Sequence, residues 1–242
     1  MKKILMGAAA ALAIAAPAHA ATGWIGASYN NGEAEPGSVS FDSWAVDGSV
    51  AFDAGGLGVT LDAGYADSED SDSVVAGTAH LYMKGEKHTL GGFVGLADSN
   101  SNNVWDAGIE GQLFNEHSTL GAALTYARAD DADVDAIGVN GAAKIFVTDN
   151  LAIGANAGWF QLSGSGPDGN AWVLGAGGEW QPESMPVSFL VGWNHYDTDD
   201  SSGVSANVFT VGARYNFGGT LKARNHSGAD LAGLSGVSAL RF

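Results

Sequence analysis

His195 begins the densest cluster of residues whose types could do chemistry, since Tyr196, Asp197, Asp199 and Asp200 follow it. A histidine beside several carboxylates is an arrangement that general acid–base catalysis uses. Alternation along this stretch, however, turns His195 to the apolar side of its predicted strand. A histidine in such a place is more often an interface residue than a base, so this cluster does not indicate an enzyme.

The other chemical signals are equally weak. Nucleophilic catalysis by serine needs a histidine and a third polar group within reach, and His80 has no serine beside it on its polar face. The chain has no cysteine, which excludes a thiol nucleophile and a disulfide framework. Asp67, Glu69, Asp70 and Asp72 are clustered carboxylates of the kind that Ca²⁺ or Mg²⁺ binds, but they lack the glycine and glutamate spacing of an EF-hand loop. We therefore expect no catalytic residue, no metal and no cofactor.

A second set of polar residues shares one property, because each lies on the polar side of an alternating segment. They are predicted to line an interior space: Asp47, Asp62, His80, Tyr82, Lys84, Asp106, Glu110, Lys144, Glu179 and Arg214. Five acids against three bases give this lining a formal charge of −2 with histidine neutral. Such a lining favours cations weakly through its focused field. The equal alternative is that these residues pair across the interior as a structural network of ion pairs.

The stretch Val208–Phe217 shows which elements position these residues. Its odd positions are apolar and end in an aromatic, whereas its even positions are small or polar. Period-two alternation with one apolar face and one wet face is typical of strands in a membrane β-barrel. The unit recurs about twelve times, each of about ten residues, the length that a tilted strand needs to cross a bilayer. The predicted fold class is therefore all-β, a transmembrane antiparallel up-and-down barrel, with the strand around Ala79–Lys84 the least regular.

The connections and the aromatic residues agree with this fold. Connections alternate between longer and shorter, and the longer ones carry most of the acidic residues, as in bacterial outer-membrane barrels. A soluble β-sandwich would explain the alternation but not two belts of exterior aromatics. The predicted belt at the loop end comprises Tyr29, Trp44, Tyr65, Trp105, Tyr126, Trp159, Trp172 and Trp193, and that at the turn end Phe52, Trp180, Phe189 and Phe217.

The N-terminus reads as a secretory signal peptide, residues 1–20. Lys2 and Lys3 precede an apolar run over residues 4–16, and Ala18-His19-Ala20 is a small-residue cleavage site. Cleavage leaves 8 Lys and Arg against 27 Asp and Glu, a formal charge of −19. So acidic a chain offers no basic patch to displace phosphate counterions, which excludes nucleic acid as a partner.

The signal peptide, the terminal aromatic Phe217 and the segment Thr148–Gly154 make the chain resemble small porin-type outer-membrane proteins of Gram-negative bacteria. The resemblance covers the mature chain to Phe217 and is specific for architecture rather than solute. It implies an outer-membrane location among lipid and lipopolysaccharide. It also implies insertion by the barrel-assembly machinery, which recognises a terminal strand ending in an aromatic, and passage of small solutes or ions.

The chain departs from that pattern after its barrel, predicted over residues 21–217, because an extension of residues 218–242 follows. The extension carries Lys222, Arg224 and Arg241 against Asp230. Three alternatives stay open: a flexible periplasmic extension, a basic segment that enters the acidic lumen and partly plugs it, or a closing strand at Val237–Phe242.

Glycine-rich inward positions predict a roomy interior. The leading function is therefore a channel for passive diffusion of small hydrophilic solutes or ions, weakly cation-preferring. The alternative is a non-conducting structural or surface-interaction barrel, closed by ion pairs or by the extension.

Overall fold

The computed structural model describes residues 21–53, 56–68, 71–99, 103–164, 168–199 and 203–231. The predicted signal peptide and the possible strand at Val237–Phe242 lie outside these residues. The strands are β1 (Ala21–Glu35), β2 (Val39–Asp53), β3 (Leu57–Ser68), β4 (Ser71–Lys84), β5 (His88–Asp98), β6 (Asn103–Phe114), β7 (Ser118–Ala129), β8 (Val134–Thr148), β9 (Leu151–Gly164), β10 (Gly169–Trp180), β11 (Val187–Thr198) and β12 (Ser205–Phe217).

Every strand is antiparallel to its neighbours in the chain, and β12 pairs with β1, so the sheet closes into a barrel of 12 strands. The closing register runs from Gly23 opposite Phe217 to Glu35 opposite Ser205. Closure pairs the backbone groups that an open edge would leave unpaired in lipid. The predicted fold class is confirmed, and β4 is continuous over its 14 residues, with a register shift against β3 between Ala66 and Ser68.

The strands are longer than predicted, at 11 to 15 residues. β1 continues through the polar residues Gly32, Glu33 and Glu35, and the β1–β2 pairing continues to Ala34 opposite Val39. Backbone pairing needs no apolar side chains once the hairpin leaves the bilayer, so the ladder extends past the alternating segment.

The exterior is apolar at alternate positions, as the pattern predicted. In β4, Leu81 and Met83 are 58% and 61% exposed, whereas His80 and Tyr82 between them are 1% and 2% exposed. Aromatic residues pair across neighbouring strands near both rims. On the loop side Trp44 lies 5.3 Å from Tyr65, and on the turn side Trp180 lies 6.4 Å from Phe189, between ring centroids. Within the described residues no helix is long and apolar enough to cross a bilayer.

The expectation that inward glycines leave the interior roomy was wrong at many positions. A Cβ at Gly58 would overlap the ring of Tyr82, and one at Gly108 or Gly138 would overlap the ring of a neighbouring phenylalanine. Large side chains from adjacent strands therefore lie over these glycines. The glycines make room for bulky neighbours rather than for solute.

The chain turns back after β12. Gly218 and Gly219 have φ of +93° and +121°, a region open to glycine at little cost. A short helix, α1 (Leu221–His226), follows, and the Thr220 hydroxyl accepts a hydrogen bond from the Ala223 amide at its start. We call residues 218–231 the tail.

Candidate functional site in the barrel lumen

The tail lies inside the barrel, bound to opposite walls. In a ring of 12 strands, β1 and β7 face each other. Trp24 of β1 donates from its indole Nε1 to the Ala229 carbonyl at 3.2 Å. Thr119 of β7 donates from its hydroxyl to Asn225 Oδ1 at 2.6 Å. The tail therefore spans the lumen from one wall to the other.

A second pair of facing strands, β4 and β10, also holds the tail. The Tyr82 hydroxyl of β4 donates to the Ser227 carbonyl at 2.8 Å. Glu179 of β10 binds Arg224. With its bonds along two diameters, the tail obstructs the turn-side half of the lumen.

Arg224 is the largest fully buried side chain of the described tail, at 1% exposure. Its Nη1 lies 2.9 Å from Glu179 Oε1, and its Nη2 lies 2.8 Å from Glu179 Oε2. Its Nη1 also donates to Asn216 Oδ1. Two parallel charge-assisted bonds make this the strong, geometrically specific form of an arginine–carboxylate pair.

Wall residues fix the acceptors that Arg224 meets. Ser188 donates from Oγ to Glu179 Oε1 at 2.6 Å, and Asn216 donates from Nδ2 to Ser188 Oγ at 2.9 Å. That bond orients the Asn216 amide so that Oδ1 faces the guanidinium. Glu179, Ser188 and Asn216, which we call the socket, come from β10, β11 and β12 and are all buried.

Asp230 completes the charge pattern. Its Oδ1 lies 3.1 Å from Arg224 Nε, and its Oδ2 lies 2.7 Å from Lys144 Nζ and 3.1 Å from Asn225 Nδ2. Burial by itself raises the pKa of Asp230, but the cations of Arg224 and Lys144 outweigh burial and hold that pKa well below its usual range. The docked carboxylate is therefore ionised at neutral pH.

Arg214 links the socket to Trp24 on the neighbouring strand β1, which also binds the tail. Its Nη1 lies 3.2 Å from Glu179 Oε2, and its guanidinium lies 3.8 Å above the centre of the Trp24 ring. Stacking on an indole face is a favourable position for a guanidinium. Arg214 thus connects the wall residues that bind Arg224 and Ala229.

A separate cluster surrounds His80. Its Nε2 makes an ion-pair contact of 2.8 Å with Asp62 Oδ2, and its Nδ1 lies 2.7 Å from Glu110 Oε1. Only a protonated ring offers a proton to a carboxylate on each side. The three side chains come from β3, β4 and β6 and are at most 2% exposed. They form a cross-link within the wall, and among the described residues no group of three or more metal-ligating side chains is arranged to hold an ion.

The predicted lining residues fall into separate groups. Lys144, Glu179 and Arg214 meet at the tail, and Asp62, His80 and Glu110 form the wall cluster. The other four lie apart: Tyr82 binds the tail, Asp106 is buried, Asp47 borders a loop-side cavity, and Lys84 lies at the turn-side rim with Nζ 3.8 Å from Asp53 Oδ2.

Sequence reasoning missed four residues of the site: Trp24, Ser188, Asn216 and Asp230. Alternation with the outward residues Ile25, Phe189 and Tyr215 predicts that the first three side chains point inward. The sequence pattern does not predict their binding partners, because these partners belong to the tail or to a neighbouring strand.

The described residues leave cavities in the lumen beside the tail and toward the loop side. One of about 430 Å³ lies beside the tail and is bordered by Asn140, Asn156, Asn194, Arg214 and Asp230. Another of about 330 Å³ lies toward the loop side, with Asn30, Asp47, Tyr196 and Thr210 among its lining. Both have polar side chains on their walls.

Within the described residues, the acidic residues of the outer rim pair with neighbours in the chain. His195 lies against Asn207, with Nδ1 3.1 Å from Oδ1, while Asp199 accepts hydrogen bonds from Asn170. In the loop after β7, three carboxylates converge on Arg128, which pairs with Asp130, Asp133 and Asp135 at 3.2, 2.8 and 3.1 Å. Glu69, Asp70 and Asp200 of the predicted acidic clusters lie outside the described residues.

No family model and no curated protein matches the sequence. Solved structures match the fold over most of the chain. An outer-membrane channel from Pseudomonas putida F1 has a TM-score of 0.59 at 12% identity, with 84% of this chain and 97% of that one covered. The NanC porin has a TM-score of 0.57 at 8% identity, covering 79% and 99%, and the KdgM porin 0.55 at 13%, covering 80% and 99%.

By fold, the chain is similar to these porins and to this outer-membrane channel. The predicted location in the bacterial outer membrane agrees with these neighbours and with the apolar exterior band. At such low identity these structures show the fold alone. The solute has to be inferred from the residues in the lumen of this chain.

Proposed function

We propose that this protein is an outer-membrane channel for passive diffusion of small hydrophilic solutes or ions, with a weak preference for cations and without catalysis. The observation that carries the proposal is the polar-lined cavity of about 430 Å³ within a closed barrel. A barrel filled only for stability would pack its interior with side chains, as small barrels do.

Charge supports the cation preference. With His80 protonated between Asp62 and Glu110, the predicted lining residues sum to −1, and the tail, which adds Lys222 and Arg224 against Asp230, brings the sum to zero. A charged pore concentrates counter-ions through its focused field. Cation preference is therefore stronger when the tail is away from the lumen.

The second candidate is a non-conducting structural barrel. The tail favours it, since bonds along two diameters and a buried ion pair hold the obstruction in place. The two candidates differ in whether the tail leaves the lumen.

Conductance in a planar bilayer tests both, using the full mature chain and a chain that ends at Phe217. The shorter chain keeps the aromatic that ends β12, so the proposed assembly signal stays in place. We expect larger conductance from the shorter chain and a higher cation-to-anion permeability ratio from the reversal potential. A shorter chain that migrates as a folded barrel yet never conducts would contradict the channel and support the structural candidate.

A further inference from the structure

The tail occupies the lumen as a tethered ligand would. Between Arg224 and Asp230 it presents one guanidinium and one carboxylate to the wall. On the wall, Glu179 binds the guanidinium through two hydrogen bonds, and Lys144 binds the carboxylate at 2.7 Å. The binding groups on each side are those of a small zwitterion and its receptor.

The socket is held together by bonds between wall residues. The bonds from Ser188 to Glu179 and from Asn216 to Ser188 involve wall residues alone. Arg214 supports the other oxygen of Glu179 from β12 at 3.2 Å. Acceptors fixed in advance by their neighbours lose little freedom when a ligand binds, so the socket is preorganised.

Charge selects the class of ligand. Without the tail, Lys144 loses its carboxylate partner, and a solute that carries only a guanidinium leaves Lys144 without one. A solute that carries only a carboxylate leaves the bidentate position on Glu179 empty. A solute with both groups satisfies Glu179 and Lys144 together.

We propose that the socket and Lys144 form a binding site for solutes that carry both a guanidinium and a carboxylate, such as arginine derivatives and short arginine-containing peptides. The inference rests on the proposed channel, since the tail must leave the lumen before a solute enters. In this arrangement the tail and the solute compete for the same groups.

Calorimetric titration of the chain ending at Phe217, in detergent, tests the site without requiring conductance. The probe is Nα-acetyl-arginine, whose only charges are the guanidinium and the carboxylate. Two matched compounds each lack one charge: Nα-acetyl-citrulline has a urea group, and Nα-acetyl-arginine amide has no carboxylate. We expect the probe to bind at least about tenfold more tightly than either, the size of one lost charge-assisted bond.

Variants of the same shortened chain assign each preference to its residue. Glu179→Gln removes the preference over the citrulline compound, and Lys144→Gln removes the preference over the amide. Asp47→Asn makes the same loss of one carboxylate as Glu179→Gln but at the loop-side cavity, and it keeps both preferences. If Glu179→Gln fails to fold, Asn216→Ala takes its place. This variant removes the neutral acceptor of the socket, and we expect it to weaken binding of the probe.

The outcomes separate the site from the channel. Selective binding by a barrel that does not conduct supports the site and contradicts the channel. Conductance without selective binding, or equal binding of all three compounds, overturns the site and leaves the channel standing. A Glu179→Gln barrel that keeps its preference for the guanidinium also overturns it.

Discussion

Arg224 and Glu179 lie 45 residues apart in the chain and form a bidentate ion pair within the lumen, with nitrogen–oxygen distances of 2.9 and 2.8 Å. Arg224 belongs to the tail and Glu179 to the wall. The pair forms only when the tail folds back into the barrel. It therefore links the charge of the lumen to the position of the tail.

Arg224→Ala should release the tail. The change leaves Glu179 with Arg214 as its ion-pair partner and deprives buried Asp230 of one of the two cations that it contacts. Breaking a buried pair costs about 3–5 kcal/mol. The chain has no native cysteine, and Ala229 is 0% exposed, so Ala229→Cys reports docking by its rate of maleimide labelling. In that background we expect Arg224→Ala to accelerate labelling by roughly a hundredfold or more.

Lys222→Ala is the matched control for that measurement. It removes another cation of the same helix, whose Nζ lies 3.4 Å from Asp149 Oδ1 in an exposed pair. Exposed pairs contribute at most about 1 kcal/mol, so labelling should change little. Equal acceleration by the two variants would show that the socket has no special part in docking.

Gly228→Ala should also loosen the tail, for a backbone reason. Gly228 has φ of +98°, and a Cβ there would overlap the Tyr82 hydroxyl that binds the preceding carbonyl. Both effects oppose docking, and positive φ alone costs an L-residue about 1 kcal/mol or more. Labelling of Ala229→Cys should therefore accelerate. Gly203→Ala, at φ +55° with open space around it, is the control and should leave the rate unchanged.

Mild acid should weaken docking through His226. Burial, together with the charge of Lys222, lowers the pKa of His226 below its ordinary 6.5, although Asp149 opposes this. A base whose pKa is lowered in the docked state disfavours docking once it is protonated. His226 therefore does not weaken docking above pH 6.5, and its protonation weakens docking as the pH falls through the lowered pKa. Asp230, whose pKa is held low, stays ionised over this range.

The measurement is the current of the full chain relative to that of the chain ending at Phe217, which corrects for titration elsewhere in the lumen. We expect this current ratio to rise as the pH is lowered from about 7 to about 5. His226→Phe keeps a ring against Phe114, whose centroid lies 4.6 Å from that of His226, and should abolish the rise. A rise that persists in this variant would assign the pH dependence to another group.

His80→Ala should destabilise the barrel wall rather than the tail. It leaves the carboxylates of Asp62 and Glu110 buried without the ring between them, at a cost of about 3–5 kcal/mol. Thermal unfolding, followed by the shift in gel migration of the folded barrel, should occur at lower temperature. His88→Ala, at an exposed turn-side position, should unfold like the unchanged chain; an unchanged His80→Ala barrel would contradict a structural role for this cluster.

The sequence by itself determined the barrel. Alternation sets which face of a strand each residue occupies, because successive side chains point to opposite sides. This holds residue by residue, so Leu81 and Met83 were predictable as exterior and His80 and Tyr82 as interior. The aromatic belts and the even number of strands follow from the same local pattern.

Only the tertiary structure decided what fills the lumen. Whether Gly58 leaves space depends on the ring of Tyr82, which comes from the next strand, and register sets that neighbour. The sequence of the tail does not show whether it lies outside or inside the barrel, because its positive charge favours the acidic lumen without specifying a position there. Arg224 reaches Glu179 because β10, β11 and β12 pair side by side and the chain turns back at Gly218 and Gly219 toward their inner face. This relationship between distant residues is encoded by no local pattern.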